Sequence, residues 1–335
     1  MRVSAFLVWL MLQAAGPASV PRPADQPTVG PPQRIGHVAQ VVGSTLVVAG
    51  GIENVGGAKP LNRVDRLDLG TGQWSLGTPL PTPRVFAASA VLDGWIYVVG
   101  GLEANQLKGD ACSAVVERYD PVRDLWERLP PMPTARSRFA ACSLDGRLVT
   151  VGGLVSGPGG QANAAVVEAL DPVERVWTRL PGLPVPIHAH AAAVFQGRMW
   201  VVGGFELDVE HNGALEASNK VYSLALEEPA WHREPDLRHP RGWCTALVDG
   251  GTLLVAGGAR DESTEALTAG HDAWHDVAPD PEGRRFAAVL IDGSPVLVGG
   301  EGTDALLRRL EPMGWRRWSP APPAAGSSEP ALRSR

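Results

Sequence analysis

The sequence predicts an all-β protein, a six-bladed β-propeller of four-stranded antiparallel blades, and three observations predict it. A glycine doublet closes a short apolar run six times, ending at Gly51, Gly101, Gly153, Gly204, Gly258 and Gly300. The intervals of 50, 52, 51, 54 and 42 residues are those of a repeat architecture. Each unit also holds four apolar runs rich in Val, Ile and Leu and bounded by Gly, Asp or Pro, which read as strands, with no helical segment of convincing length. Four-stranded antiparallel sheets repeated around an axis make a propeller.

The elements follow in a fixed order, clearest in blade 2. Arg84 stands seventeen residues before Gly101, followed by VFAASAVLDG, then WIYVVGG, a polar loop, VVERYDP, and Trp126 in LWERLPPMP. Blade 3 repeats the order with Arg136, RFAACSLDG, RLVTVGG, VVEALDP and Trp177; blade 1 does so with Arg34, GHVAQVVGS, TLVVAGG, RVDRLDL and Trp74. The pairs Asp93-Gly94, Asp145-Gly146 and Asp292-Gly293 fall between first and second strands, where a two-residue hairpin turn needs positive φ. The doublets are expected near the axis, where a Cβ would obstruct neighbouring backbone. Trp74, Trp126, Trp177, Trp231 and Trp274 are expected as apolar wedges between blades, with Trp315 or Trp318 as the last.

A doublet after an apolar strand, then Tyr-Asp or an equivalent, then a Trp six residues on, resembles the kelch family. Here the pairs are Leu67-Asp68 with Trp74, Tyr119-Asp120 with Trp126, and Leu170-Asp171 with Trp177, and the resemblance covers about residues 34 to 318. It implies a β-propeller that acts as a binding module.

Outside the propeller, residues 1–18 read as a secretory signal peptide: Arg2, then AFLVWLML, then small residues, too short for a spanning helix. Residues 19–33 and 319–335 are Pro-rich and read as flexible segments, although residues 24–33 could add an edge strand. The protein is therefore expected to be secreted, periplasmic or in the cell envelope, with no membrane span, and monomeric. Three cysteines leave at least one unpaired; Cys142 and Cys244 are separated by a blade, and a Cys112–Cys142 bridge stays open. A net charge of −6 without a basic stripe speaks against nucleic acid. No CxxC pair suggests zinc, and no cofactor is expected.

Strand direction puts the Arg positions, the residues after each doublet and the long loops on one face. Seventeen residues before the second glycine stand Arg34, Arg84, Arg136 and Arg241, with Ile187 beside His188 in blade 4 and Gly283 beside Arg284 in blade 6. Two roles are open to them: a positive ring at the channel mouth, suited to carboxylate or phosphate, or bonds to carbonyls and acids of a neighbouring blade. Glu53, Glu103 and Glu206 follow the doublets, with Asp208 and Glu210 beyond, and either neutralise the arginines or supply a general base.

Further candidates lie in blades 3 and 4. LVSGPGGQANAA reads as a flexible, nearly uncharged stretch; its G-P-G-G run lacks a following helix and is a weak phosphate cradle. His188 and His190 form an H-x-H expected on one strand, which Asp208 or His211 could join around a metal, but His190 shares its register with His37, Ala87, Phe139, Cys244 and Phe286, an ordinary lining position.

The kelch resemblance implies a protein-, peptide- or anionic-glycan-binding module on this face, with ligand candidates Arg34, Arg84, Arg136, His188, Arg241, Arg284, Glu103 and Asp208. The alternative is a sugar epimerase. GGIENVGGAKPLNRVDRLDL, with Glu53, Lys59, Pro60 and Arg63, is loosely similar to the sialic-acid mutarotases, which would make Glu53, Glu206 and Arg63 the catalytic candidates. A copper oxidase needs two Tyr and two His at the metal, and Tyr97, Tyr119 and Tyr222 fall in strands two and three instead.

Overall fold

The structure is a computed structural model that describes residues 32–53, 59–103, 111–157, 160–208, 214–258, 263–279, 285–300 and 307–320. The expected leader, most of the two Pro-rich segments, Glu210, His211, Asn212 and Arg284 lie outside the described residues, as does the side chain of Asp208.

Six antiparallel sheets each contain four strands in sequence order, and blade 2 (Ala88–Leu92, Trp95–Val99, Val116–Asp120, Leu125–Leu129) is representative. The second strand of every blade is buried after its first residue, because it lies between two strands of its own sheet and between two neighbouring sheets. The turns expected at the Asp-Gly pairs are present: φ is 50° and 77° at Asp93 and Gly94, and 51° and 67° at Asp292 and Gly293.

The first strands are innermost and touch one another in cyclic order, with Ala287–Ile291 of blade 6 against Val38–Val42 of blade 1. Each blade is continuous in sequence, so the ring closes by packing. One cluster joins Leu46, Val48 and Leu67 of blade 1 to Val296, Val298 and Leu307 of blade 6, with Trp74 and Trp318 against it.

The tryptophans are the inter-blade wedges. Trp126, Trp177, Trp231 and Trp274 each donate an indole N–H to a carbonyl in the segment leaving the preceding blade: Thr78 (2.8 Å), Pro130 (3.1 Å), Pro181 (2.9 Å) and Pro235 (2.9 Å). In blade 6 the wedge toward blade 5 is Trp315, which donates to Thr264 Oγ1 at 2.9 Å.

The doublets form a second inter-blade device. Gly101, at φ 99°, donates its N–H to Arg136 O of the next blade at 2.8 Å, and a Cβ there would lie 2.7 Å from Val85 O. Only glycine meets both requirements. The bond recurs as Gly51 to Arg84 O (2.9 Å), Gly153 to Ile187 O (2.8 Å) and Gly204 to Arg241 O (2.8 Å). The doublets of blades 1 to 4 therefore hold the backbone of the arginine register in the neighbouring blade.

Candidate binding face

The register arginines take the second of their two open roles, within their own blades. Arg34, Arg84, Arg136 and Arg241 are fully buried, each against an acid at the start of the third strand: Asp65 (2.5 Å), Glu117, Glu168 (2.8 Å) and Glu265 (2.6 Å). Arg136 also donates to Gly152 O, Val166 O and Thr150 Oγ1, so one guanidinium ties strands two and three together. Burial lowers Arg84 and Arg136 to about 10, against the opposing pull of Glu117 and Glu168. Blade 4 shows the pair to be a unit: Ile187 replaces the arginine and Tyr222, paired with Val201 as Glu117 is with Val98, replaces the acid.

The remaining candidates disperse. Arg63 binds Asp65 at 2.7 Å, and Glu53 is exposed across a two-residue ribbon from Arg34. Glu103 accepts from Ser113 Oγ at 2.6 Å; Glu206 accepts from Ser218 Oγ at 2.5 Å and Lys220 Nζ at 2.6 Å. None of these side groups lines the axial cavity. His188 and His190 do not share a strand: Ala189 between them is left-handed (φ 53°), and the strand begins at Ala191. His188 Nδ1 lies 2.8 Å from Asn163 Oδ1, and His190 donates from Nε2 to Val151 O at 3.1 Å. Among the described residues no three His, Cys, Asp or Glu side chains gather as a metal site. The thiols of Cys112, Cys142 and Cys244 are buried and unbridged.

The stretch read as a flexible loop in blade 3 is a hairpin, with Leu154–Gly157 paired to Gly160–Asn163. Phe205–Asp208 and Ala214–Ala217 pair likewise in blade 4. Both ribbons leave the doublet side and rim the axis.

At the axis, two rings of residues line a cavity of about 140 Å³. The inner ring is the register that includes His190: His37, Ala87, Phe139, His190, Cys244 and Phe286. The outer ring is one residue earlier: Gly36, Phe86, Arg138, Ala189, Trp243 and Arg285. All six outer residues are left-handed, with φ between 53° and 63°. From blade 1 to blade 5 each carbonyl of this ring accepts the next member's N–H, at 2.8, 3.1, 2.8 and 2.7 Å. Blade 1 has the glycine this conformation favours; the register's irregularity in side chain hides the outer ring from sequence reasoning, and Gly36 aligned with Phe86 and Trp243 was the available signal.

The outer ring closes the channel mouth. Phe86 and Trp243 meet with ring centroids 5.5 Å apart, Arg138 stacks on Phe86 at 4.8 Å and Arg285 on Trp243 at 4.5 Å. His188 stands edge-on to Trp243 at 6.4 Å. Burial lowers His37 and His190 to about 4 and His188 to about 3, so all three are neutral imidazoles at pH 7. Among the described residues, the cavity wall carries two guanidinium groups, aromatic surface and no carboxylate, so none of these lining residues offers a general base of carboxylate type.

Comparison with known proteins agrees with this architecture. The Kelch motif matches residues 33–81, 83–133 and 135–184, the first three blades. Kelch-like protein 36 of Bos taurus is 29% identical over 203 residues, covering 60% of this sequence and 31% of that protein. Beta-scruin of Limulus polyphemus is 30% identical over 219 residues, covering 64% of this sequence and 24% of that protein. The matched region therefore spans between a quarter and a third of these relatives' lengths. The solved structure of YjhT superposes with a TM-score of 0.66 at 15% identity, over 83% of this protein and 93% of that one, a likeness of fold.

Proposed function

From a propeller whose first three blades carry the Kelch motif, we propose an exported, monomeric protein-binding module whose doublet face receives a partner. The observation that carries the reading is the closed mouth. A cavity of about 140 Å³ is well below the roughly 300–1,000 Å³ of small-molecule pockets. What the face offers instead is a broad surface around the Phe86–Trp243 plate, rimmed by the ribbons of blades 3 and 4, and rigid scaffolds present recognition in this way. The similarity to kelch-like proteins and scruin supports a protein partner, and the leader-like run at 1–18 supports export.

A sugar epimerase would need a carboxylate facing its substrate, and Glu53, Glu206 and Arg63 lie outside the cavity wall. Photo-crosslinking tests the binding reading. A crosslinker at Leu207, on the blade 4 ribbon, is expected to capture a protein that one at Val122 or Val173, on the opposite-face turns, does not. Equal capture from both faces overturns the reading, and retention of an anionic glycan in place of a protein by the Leu207 face replaces it.

A further inference from the structure

Each blade turns one face of its second and third strands toward the next blade, and in five of the six that face carries an arginine near the opposite-face turns. Strand pairing puts Arg66, Arg118 and Arg309 of blades 1, 2 and 6 at one position of the third strand. Arg147 and Arg198 of blades 3 and 4 open the second strand on the same face. Arg66 donates to Pro121 O of blade 2 at 2.8 Å, and Arg198 pairs with Glu228 at 2.6 Å. Arg118 pairs with Glu127 at 2.6 Å and lies over Trp95 at 4.3 Å; Arg309 lies over Trp318 at 4.3 Å. Blade 5 has Ala266 and Thr252 at the two positions.

The turn facing blade 5 is short as well. Two residues, Pro312 and Met313, separate Glu311 from Gly314, whereas four, 172–175, separate Asp171 from Val176 in blade 3, where Arg175 reaches across the seam to Glu127 of blade 2. Small side groups and a short turn leave a cleft of about 480 Å³ between blades 5 and 6, within the roughly 300–1,000 Å³ of small-molecule pockets. Leu254, Ala266 and Leu310 give it an apolar lining, and Thr252 and Thr268 add hydroxyls. Its titratable side chains are Asp249 of blade 5, Glu311 of blade 6 and His275, with no Lys or Arg among the described residues. Neither carboxylate makes a hydrogen bond or ion pair to a described residue. A cleft charged with one sign draws the other, and an alkyl stem along apolar surface with a charged head at the rim is how long cationic side chains themselves pack.

We infer that this cleft binds a free small organic cation, an alkylguanidinium or alkylammonium, with its head between Asp249 and Glu311 and its stem over Leu254 and Ala266, where blades 1, 2 and 6 place the stem of their own arginine. The site lies away from the doublet face and is independent of the protein-binding reading.

The experiment titrates the full chain with N-butylguanidinium, n-butylammonium and N-butylurea, which keeps the planar head without the charge, following the Leu254 and Leu310 methyl groups by NMR. Leu254→Ile and Leu310→Ile assign the resonances. At least one cation is expected to shift both with a Kd on the order of millimolar, and the urea is not. Asp249→Asn with Glu311→Gln is expected to weaken the cation at least about tenfold. Ala266→Arg installs what blade 2 has in Arg118 and is expected to abolish binding by filling the cleft; if that variant does not fold, the Asn and Gln pair, at half-buried and exposed positions, carries the test. Equal binding of cation and urea, undiminished binding by a folded Asn and Gln pair, or no shift by any probe overturns the site. N-acetylarginine amide presents the same head on a peptide unit, and binding more than about tenfold tighter than N-butylguanidinium overturns the free ligand in favour of a polypeptide side chain.

Discussion

Replacing Arg136 by Ile separates the structural role of the register arginines from a ligand-binding one. Arg136 is fully buried, bound to Glu168 at 2.8 Å, and also holds Gly152 O, Val166 O and Thr150 Oγ1. Removing it leaves Glu168, itself buried, without its counter-charge. Loss of one member of a buried pair costs about 3–5 kcal/mol. Arg136→Ile combined with Glu168→Tyr copies what blade 4 already has in Ile187 and Tyr222, where Arg233 covers the tyrosine ring at 4.9 Å. Arg179 stands opposite Glu168 as Arg233 stands opposite Tyr222, so the same cover is to hand. The double variant is expected to recover more than half of the loss, a coupling of roughly 2–3 kcal/mol in a double-mutant cycle. Urea denaturation of the four proteins measures it. A single variant that loses less than about 1 kcal/mol, or a double variant less stable than the single, would refute the argument.

The seams between blades give three more expectations. His37 and His190 are buried neutral, shifted from 6.5 to about 4, so the unfolded state binds their protons first; their contribution, roughly 3 kcal/mol each, is complete above pH 6.5 and lost as pH falls toward 4. His37→Phe with His190→Phe, which installs the residue that blades 3 and 6 carry at this register as Phe139 and Phe286, should reduce the fall in melting temperature over that range, leaving the share of His188. Gly101→Ala forces a left-handed alanine with its Cβ 2.7 Å from Val85 O, and is expected to cost about 1–3 kcal/mol or more by the same denaturation assay. Trp274→Ala empties a buried wedge between blades 4 and 5 and should cost about 3–5 kcal/mol; an exposed tryptophan would cost far less.

Much of the fold is legible because the repeat writes the same physical requirement six times. The doublets must be glycine where a Cβ would strike the neighbouring carbonyl, and the Asp-Gly turns must take positive φ, so both recur in register. The inner lining ring of His37, Phe139 and His190 was countable from the same ruler. The fate of the arginines was harder to read, since their acids Asp65, Glu117, Glu168 and Glu265 sit in the third strand, some thirty residues away, beyond loops of unequal length. A periodic arginine looks identical in sequence whether it faces a ligand or a buried carboxylate. The plate was hidden for the opposite reason: its register keeps a left-handed backbone under unlike side groups, and Phe86, Arg138, Trp243 and Arg285 share nothing that alignment on residue type would reveal.

Recognition on this face is assigned to a plate held in a conformation that glycine would relieve. Trp243→Gly therefore tests it most directly, through partner affinity and stability measured on the same protein. Affinity for the captured partner is expected to fall at least about tenfold, while stability falls by less than the roughly 3–5 kcal/mol expected for a wedge tryptophan, because the relief of left-handed strain of about 1–3 kcal/mol offsets part of the packing lost at Phe86, Arg138 and Arg285. Unchanged affinity in a folded Trp243→Gly protein, with affinity lost instead in Val122→Glu on the opposite face, would contradict the account.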